Sequence, residues 1–233
     1  MIRLDKYLAD MGVGTRSEVK KYIRQGKIMV DGEIVKMPEQ KIEQTAKVCY
    51  LGQPVAYTQF EYYMLNKPAG VVSATTDAKD KTVIDLIEEK KRKDLFPVGR
   101  LDKDTEGLLL ITNDGELAHR LLAPKKHVDK VYYAKVQGSV TEEDKQAFSE
   151  GISIGNGEMA KPAFLEIISS DEISEIRLTI QEGKFHQIKR MFEAVGKEVV
   201  YLKRLSMGSL VLDETLALGE YRPLNEKELE DLC

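Results

Sequence analysis

The segment GRLDKDTEGLLLITNDG, residues 99–115, constrains the fold of this chain more than any other stretch. Its apolar run, Gly107–Thr112, has the length of a buried strand and ends at Asn113-Asp114-Gly115, which favours a turn. A second strand-like run, Leu95–Leu101, leads directly to Asp102. The pattern therefore predicts a short charged loop, with Asp102 at its start, between two strands of a sheet.

The remaining patterns favour an α+β class. The predicted strands are Glu61–Leu65, Leu95–Leu101, Gly107–Thr112, Val131–Val136, Phe164–Ser169, Glu175–Gln181 and Val199–Met207. The predicted helices are Val83–Lys93, Glu116–Leu122, Glu142–Glu150 and Phe185–Val195. Because strands outnumber helices and do not alternate with them regularly, we expect a mixed, largely antiparallel sheet.

Residues 1–50 are predicted to form a separate small α/β module. One helix is predicted by apolar residues at helical spacing, namely Leu4, Tyr7, Leu8 and Met11. Thr15 and Glu18 form a capping-box pattern for a second helix, and Asp31-Gly32 predicts a hairpin. Residues 51–60 are interpreted as a linker and 61–233 as a larger domain.

The net charge of −4 hides an uneven distribution. Residues 1–50 hold 10 basic and 7 acidic side chains, whereas the last 21 residues hold 2 basic and 7 acidic ones. Two further basic stretches are residues 118–135 and 184–204. Since binding depends on local charge, the sequence is compatible with an acidic partner despite its negative total.

Several protein classes are excluded by composition. No apolar run approaches the ~20 residues of a membrane-spanning helix, and the N-terminus lacks the apolar stretch of a secretory signal. The two cysteines, Cys49 and Cys233, and three histidines fit no zinc-ligand spacing. We therefore expect a cytoplasmic protein without a metal site.

The acidic loop at Asp102 allows several interpretations. Asp102, Asp104 and Glu106 resemble the opening of a calcium loop, but the twelfth position is Asn113 instead of a bidentate glutamate. A magnesium-dependent phosphotransferase loop normally follows a fully apolar strand, and Arg100 interrupts the strand here. A charged turn without function also fits. Alternatively, Arg100 keeps Asp102 ionised, as a nucleophile or base requires.

The whole set of motifs resembles the RsuA-type pseudouridine synthases. Residues 99–115 are similar to the catalytic motif of that family. Its other motifs are matched in order by NKPAG at 66–70, LAHRLLAPKKHVDKVYYAKV at 117–136, EGKFHQIKRMF at 182–192 and YLKRLSMGSLVL at 201–212. Residues 1–50 resemble an S4 RNA-binding domain. The resemblance therefore covers nearly the whole chain.

The resemblance implies an enzyme that isomerises uridine to pseudouridine without a cofactor. Asp102 corresponds to the essential aspartate, which attacks the sugar or the base, or removes a proton in a glycal route. Tyr132 corresponds to the tyrosine that packs on the target base, and Tyr133, on the opposite face of the strand, is expected in the core. Lys189 corresponds to the basic partner of the aspartate, with Arg190 as the alternative.

The resemblance and the basic stretches together give the remaining candidates. The predicted substrate-binding residues are Arg100, Lys67, Thr105, Lys130, Arg190 and Arg204. The predicted RNA-binding residues of the S4-like module are Arg3, Lys6, Arg16, Lys20 and Arg24. For Lys67, support of the site is an alternative to phosphate contact.

The motif at residues 117–136 most resembles that of the small-subunit enzyme of the family, which acts on the uridine at position 516 of 16S rRNA. The implied ligand is ribosomal RNA or a small-subunit assembly intermediate, bound by a monomer. Two alternatives remain open: a synthase for a 23S rRNA uridine, and a non-catalytic RNA-binding assembly factor.

Overall fold

The computed structural model describes residues 1–123 and 126–232, which form two compact units. The first unit contains residues 1–61 together with 88–95, and the second contains 62–87 and the chain from 96 onward. The predicted domain limits of 1–50, 51–60 and 61–233 stay a prediction. Cys233 lies outside the described residues, as do Pro124 and Lys125. Each helix among the described residues is too short or too polar to span a lipid bilayer.

The first unit combines two helices with short strands. Its elements are β1 (Ile2–Arg3), α1 (Leu4–Asp10), α2 (Arg16–Arg24), β2 (Ile28–Val30), β3 (Glu33–Ile34), β4 (Lys41–Ile42), β5 (Val48–Tyr50) and β6 (Gln53–Val55). The predicted capping box is confirmed, because the Glu18 carboxylate accepts the backbone N–H of Thr15 at 2.8 Å and the Thr15 hydroxyl accepts that of Glu18 at 3.3 Å. Gly26, at φ +72°, follows the end of α2.

The predicted hairpin at Asp31-Gly32 is also confirmed. Both residues have positive φ, 51° and 90°, as a two-residue turn between β2 and β3 requires. The sheet order is β3-β2-β5-β6, and β1 pairs with β4 separately. The sequence predicts a linker at residues 51–60, but within this range Gln53–Val55 forms β6 and pairs with β5. Pro54 is tolerated there because β6 is an edge strand.

The predicted helix Val83–Lys93 is wrong. Residues 88–95 have no helix or strand, and they belong to the first unit. The Glu61 carboxylate accepts the backbone N–H groups of Lys91 and Arg92, so a side chain satisfies donors that a helix would otherwise pair. The buried Arg92 guanidinium lies 3.3 Å from the Asp10 carboxylate and donates to Asp94. These contacts hold the backbone at Lys91 and Arg92 in a conformation that is neither helix nor strand.

The second unit contains nine strands and four helices among the described residues. They are β7 (Tyr62–Lys67), β8 (Phe96–Pro97), β9 (Glu106–Thr112), α3 (Gly115–Leu122), β10 (Lys130–Gln137), α4 (Glu142–Glu150), β11 (Phe164–Ser169), β12 (Ile173–Ile180), α5 (Gln187–Glu193), β13 (Glu198–Met207), β14 (Leu210–Val211), β15 (Tyr221–Pro223) and α6 (Glu226–Leu232). The predicted strand Leu95–Leu101 is reduced to β8, because the chain leaves the sheet after Pro97.

These strands form one sheet in the order β11-β12-β10-β13-β9-β7-β15, with β14 on β13 and β8 on β9. The β9–β13 pair is parallel and the other described pairs are antiparallel, which confirms the predicted mixed, largely antiparallel sheet. Strand β9 is buried through Gly107–Thr112, and α3 packs its apolar side on this region. The loop before β9 is therefore anchored to the middle of the sheet.

Gly107 permits the close approach of β9 to β13. Its φ is +98°, and a Cβ atom there would lie 2.3 Å from the backbone oxygen of Arg204. We expect Gly107→Ala to lower the free energy of unfolding by about 3 kcal/mol or more, because backbone strain adds to a clash with backbone that cannot rotate away. Urea-induced unfolding, followed by circular dichroism, measures this change.

Gly115 provides the matched control. It is the first residue of α3, and a Cβ atom there would meet nothing within 4 Å. Gly115→Ala should leave the free energy of unfolding unchanged or raise it by up to about 1 kcal/mol, since alanine favours a helix. Equal stability of the two variants would contradict the proposed role of Gly107.

Candidate active site

The loop that precedes β9 forms one wall of a pocket in the second unit. The pocket has about 430 Å³ of empty space and is lined by Arg100, Leu101, Asp102, Thr105, Tyr132, Ile180, Gly183, Lys184, His186, Gln187, Ile188, Lys189 and Leu202. Asp102, Tyr132 and Lys189, the three predicted catalytic residues, thus line the same cavity. They come from a loop, a central strand and a short helix, and the sheet brings these elements together.

Two basic side chains approach the Asp102 carboxylate. Lys189 Nζ lies 3.8 Å from Oδ2, and His186 Nε2 lies 3.7 Å from Oδ1. The stronger contact of Lys189 is with Asp104, whose two carboxylate oxygens are each 2.7 Å from Nζ. The hydrogen bond from Lys189 holds the pKa of the Asp104 carboxyl below its usual value. Lys189 is therefore shared by two carboxylates.

Arg190 points away from this pocket. Its Nε donates to the backbone oxygen of Ile154 at 2.8 Å, and its Nη2 lies 2.7 Å from the Glu158 carboxylate. Of the two neighbours on α5, Lys189 therefore lines the pocket near Asp102, whereas Arg190 binds the loop at 154–158. A contact between Arg190 and substrate stays a prediction.

Tyr132 lies in the wall of the pocket, on β10. Its side chain is 7% exposed, and its neighbours across the sheet are Leu178 and Arg204. Tyr133 faces the other side of the sheet, as alternation requires, but it is only half-buried, where the sequence predicted a core residue. Its ring packs edge-on against Tyr201 at 6.0 Å. The pocket tyrosine is the more deeply buried of the two.

The chain after β7 forms hydrogen bonds to the backbone on either side of Asp102. The Ser73 hydroxyl donates to the backbone oxygen of Leu101 at 2.8 Å and accepts the N–H of the same residue at 3.1 Å. The backbone N–H of Gly70 donates to the oxygen of Lys103 at 2.7 Å. Asp102 therefore lies between two fixed residues. Sequence reasoning missed Ser73, since a lone serine outside a helix carries no positional signal.

Lys67 adds a third support. It is fully buried, and its ammonium donates to the backbone oxygens of Pro68, Lys103 and Thr105 at 3.0, 3.2 and 2.8 Å. These contacts use all three donors, so the geometry favours support of the loop, one of the two predicted roles, over the phosphate contact. Burial lowers the pKa of the Lys67 ammonium to about 8, although Asp104, Glu106 and Asp102 oppose this shift.

The lowered pKa predicts how stability depends on pH. Between pH 8 and 10.5, the unfolded chain holds a proton on Lys67 that the folded protein has begun to lose, so folding is favoured as pH rises. Compared with Lys67→Met, which lacks the titrating group, the wild-type free energy of unfolding should gain up to about 1.4 kcal/mol per pH unit. Urea unfolding of both proteins at several pH values measures the difference. A difference that falls with pH would contradict the assignment.

A wider groove adjoins the pocket and shares Asp102 with it. It has about 1680 Å³ of empty space and is lined by Val72, Ser73, Ala74, Pro97, Gly99, Arg100, Leu101, Asp102, Lys103, Leu122, Lys130, Glu182, Gly183, Lys184, Phe185 and His186. Arg100 is exposed and lines both cavities. Lys130 is buried, donates to the oxygen of Val128 at 3.0 Å, and has a pKa lowered by burial and by Arg204.

Two predicted substrate-binding residues have buried polar atoms without a hydrogen-bond partner in the described part of the chain. They are Thr105, through its hydroxyl, and Arg204, through Nη2. Thr105 is 2% exposed and lines the pocket, while the Nε of Arg204 is bound to the backbone oxygen of Leu108 at 2.7 Å. Because buried polar groups are normally paired, the free hydroxyl of Thr105 is suited to bind a ligand group.

The predicted basic residues of the first unit lie on or near its surface. Arg3, Arg16 and Arg24 are exposed, as is Lys6, while Lys20 is half-buried. Arg3 and Lys20 lie near the buried Asp5 carboxylate, at 2.8 and 4.0 Å, and Lys6 contacts Asp10 at 2.8 Å. The Arg3 contact lowers the pKa of Asp5. Contact of these cations with RNA stays a prediction.

The geometry of the pocket suits covalent or acid–base chemistry on a flat ring. It places a carboxylate near an ammonium group, an imidazole and a phenol ring, in a cavity that also has an unpaired hydroxyl. The residues that the structure describes contain no group of three or more histidine, cysteine, aspartate or glutamate side chains placed to hold a metal ion.

Comparison with known proteins gives matches to two family models. Residues 61–194 match RNA pseudouridylate synthase, and residues 2–48 match the S4 domain. The chain is 52% identical to an uncharacterized RNA pseudouridine synthase, YtzG, of Bacillus subtilis, over 98% of this chain and 97% of that protein. It is 41% identical to ribosomal small subunit pseudouridine synthase A of Escherichia coli, over 98% of both chains.

A solved structure is also similar over the full length. The crystal structure of a pseudouridylate synthase covers 100% of both chains, with 40% sequence identity and a TM-score of 0.70. The match of the fold therefore extends through both units, and the expected S4-like module is confirmed by the family model at residues 2–48.

Proposed function

The chain belongs to the RNA pseudouridylate synthase family, and from this premise we propose that it converts a uridine of ribosomal RNA to pseudouridine with Asp102 as the reacting carboxylate. The family membership makes it an isomerase of the RsuA type. The observation that carries the assignment of the site is the convergence of Asp102, Tyr132 and Lys189 on one pocket.

In the proposed mechanism, the target nucleotide leaves its helix and enters the pocket. Unstacking costs ~ a few kcal/mol, and the Tyr132 ring compensates by packing on the base. In the sugar route, Asp102 bonds to carbon 1′ of the ribose as the bond to N1 of the uracil breaks. The uracil rotates, and its carbon 5 bonds to carbon 1′ as the carboxylate leaves, while carbon 5 loses its proton and N1 gains one. In the two other routes Asp102 adds to the base and is later eliminated, or removes a proton from carbon 2′ of the sugar and returns it. Lys189 stabilises the charge on the two carboxylates throughout. The reaction moves no phosphate and oxidises nothing, so the proposal requires no cofactor or metal.

The proposed substrate is the uridine at position 516 of 16S rRNA, in free RNA or in a small-subunit assembly intermediate. The similarity to ribosomal small subunit pseudouridine synthase A supports this choice. The basic residues of the first unit, Arg3, Lys6, Arg16, Lys20 and Arg24, are proposed to bind phosphates of the same RNA. We propose that the protein acts as a monomer in the cytoplasm, where ribosomal subunits are assembled.

Mapping of pseudouridine in both ribosomal RNAs from a strain that lacks this protein tests the proposal. We expect the mark at position 516 to disappear and to return when the gene is restored. Loss of a 23S rRNA mark instead would assign the enzyme to the large subunit. If no mark changed and the purified protein bound RNA without modifying it, the protein would be an RNA-binding assembly factor.

A further inference from the structure

Phe185 is an exposed aromatic residue at the edge of the groove that contains Asp102. Its side chain is 72% exposed, although phenylalanine is the kind of residue that folding normally buries. The proposed mechanism does not use this ring, which contacts the neighbouring ring of His186. Because Phe185 lies next to the pocket that contains Asp102, we infer that it binds a part of the substrate other than the target base.

The local backbone presents the Phe185 ring in a defined way. The next residue, His186, has a left-handed backbone conformation with φ +49°, at the point where the chain turns into α5. The two rings consequently stack face to face, with centroids 3.8 Å apart and planes inclined by 18°. The stack fixes the orientation of the phenyl ring and leaves it largely open to solvent.

The stacked pair connects the reacting centre to the groove. His186 Nε2 lies 3.7 Å from the Asp102 carboxylate, and Phe185, one residue earlier, lines the wide groove but not the inner pocket. A base bound in the pocket would therefore have its neighbour in the RNA strand close to the phenyl ring.

The groove also has the charge that an RNA strand requires. Four cationic side chains line it, namely Arg100, Lys103, Lys130 and Lys184, against the two carboxylates of Asp102 and Glu182. Arg100 forms no ion pair with any residue in 1–123 or 126–232, so its guanidinium is available for a phosphate. A basic groove with an exposed aromatic ring is the arrangement by which proteins hold single-stranded RNA.

We propose that Phe185 is a stacking platform for the nucleotide next to the target uridine. This inference rests on the proposed function, because it assumes that the target base occupies the pocket at Asp102. The platform binds the base by its flat face, so it would accept any of the four bases and would add affinity without sequence preference. It would also hold the unpaired strand open while the target base is in the pocket.

The test uses a synthetic fragment of 16S rRNA that contains the target uridine, and measures both the Kd and the rate of pseudouridine formation at saturating RNA. We expect Phe185→Ala to raise the Kd by about 5- to 150-fold, the range that loss of one stacked base produces, and Phe185→Trp to retain tight binding. Phe164→Ala is the matched control. Phe164 is 66% exposed, lies on the edge strand β11 outside the groove, and should not affect the Kd.

An abasic nucleotide on either side of the target separates stacking from a general effect on folding. If the proposal is correct, wild type should lose affinity for one of the two abasic RNAs, and Phe185→Ala should have little further effect on that RNA. Equal Kd values for wild type and Phe185→Ala on the intact RNA would overturn the platform. So would an undiminished effect of Phe185→Ala on both abasic RNAs. If wild-type protein formed no pseudouridine in the intact RNA, the proposed function would fail instead, whatever the Kd values.

Discussion

Replacing Asp102 with asparagine is expected to lower the rate of pseudouridine formation by at least about 1,000-fold, because the amide keeps the volume of the carboxylate but can neither attack the nucleoside nor accept its proton. Affinity for RNA should change by less than about twofold, since the phosphate contacts come from other residues. Single-turnover assays give the rate, and filter binding or fluorescence anisotropy gives the Kd.

Asp104→Asn is the matched control for that experiment. Asp104 is two residues away, is also an aspartate, and has the shorter contact with Lys189, 2.7 Å against 3.8 Å. Its carboxylate is largely exposed and does not line the pocket. We expect its loss to slow the reaction by less than about tenfold. If Asp104→Asn were as damaging as Asp102→Asn, or if Asp102→Asn remained active, the assignment of the reacting carboxylate would be wrong.

The elements that depend on local sequence could be predicted. The capping box at Thr15, the hairpin at Asp31-Gly32 and the strand Gly107–Thr112 are all set by residues within a few positions of one another, and the structure contains each of them. Helix α4 and strand β11 have the predicted limits. In these segments the hydrophobic period and the end signals agree, so tertiary contacts had nothing to override.

The predicted helix Val83–Lys93 shows where local reasoning fails. Its charged residues predict a helix, but Glu61 binds the backbone of Lys91 and Arg92, and Asp10 pairs with the Arg92 guanidinium, although both acidic residues are distant in sequence. A carboxylate that binds backbone N–H groups and a buried guanidinium that needs two acidic partners both require the folded unit. A sequence pattern gives no indication of which distant side chain supplies such a contact.

In the candidate site, too, the sequence predicted some features and not others. Motif resemblance brought Asp102, Tyr132 and Lys189 forward, and the structure places all three around one pocket. The motif resemblance does not show which groups each side chain contacts. Lys67 proved to be buried under the loop with three backbone oxygens as acceptors, and Ser73, which no pattern singled out, binds both backbone groups of Leu101. Such contacts follow from tertiary packing alone.

Lys189→Gln is expected to lower the rate at saturating RNA by about 100-fold, with a Kd close to that of wild type. The ammonium is the cation that the structure places between the two carboxylates of the loop, and loss of one preorganised charge at a reacting centre typically costs about 100-fold or more. The pKa of Asp104, which Lys189 holds low, should return toward its ordinary value in this variant. Nuclear magnetic resonance of the labelled carboxyl group reports that change directly.

Arg190→Gln separates the two neighbours on α5. Arg190 binds the Ile154 backbone and Glu158, so its loss should reduce stability by about 1–2 kcal/mol while the rate per folded molecule stays within about threefold of wild type. The pKa of Asp104 should stay low, because Lys189 remains in place. The opposite outcome, a slow but stable Arg190→Gln and an active Lys189→Gln, would move the basic partner of Asp102 one position along the helix. Since adjacent helical residues point ~100° apart, both variants cannot lose the same interaction.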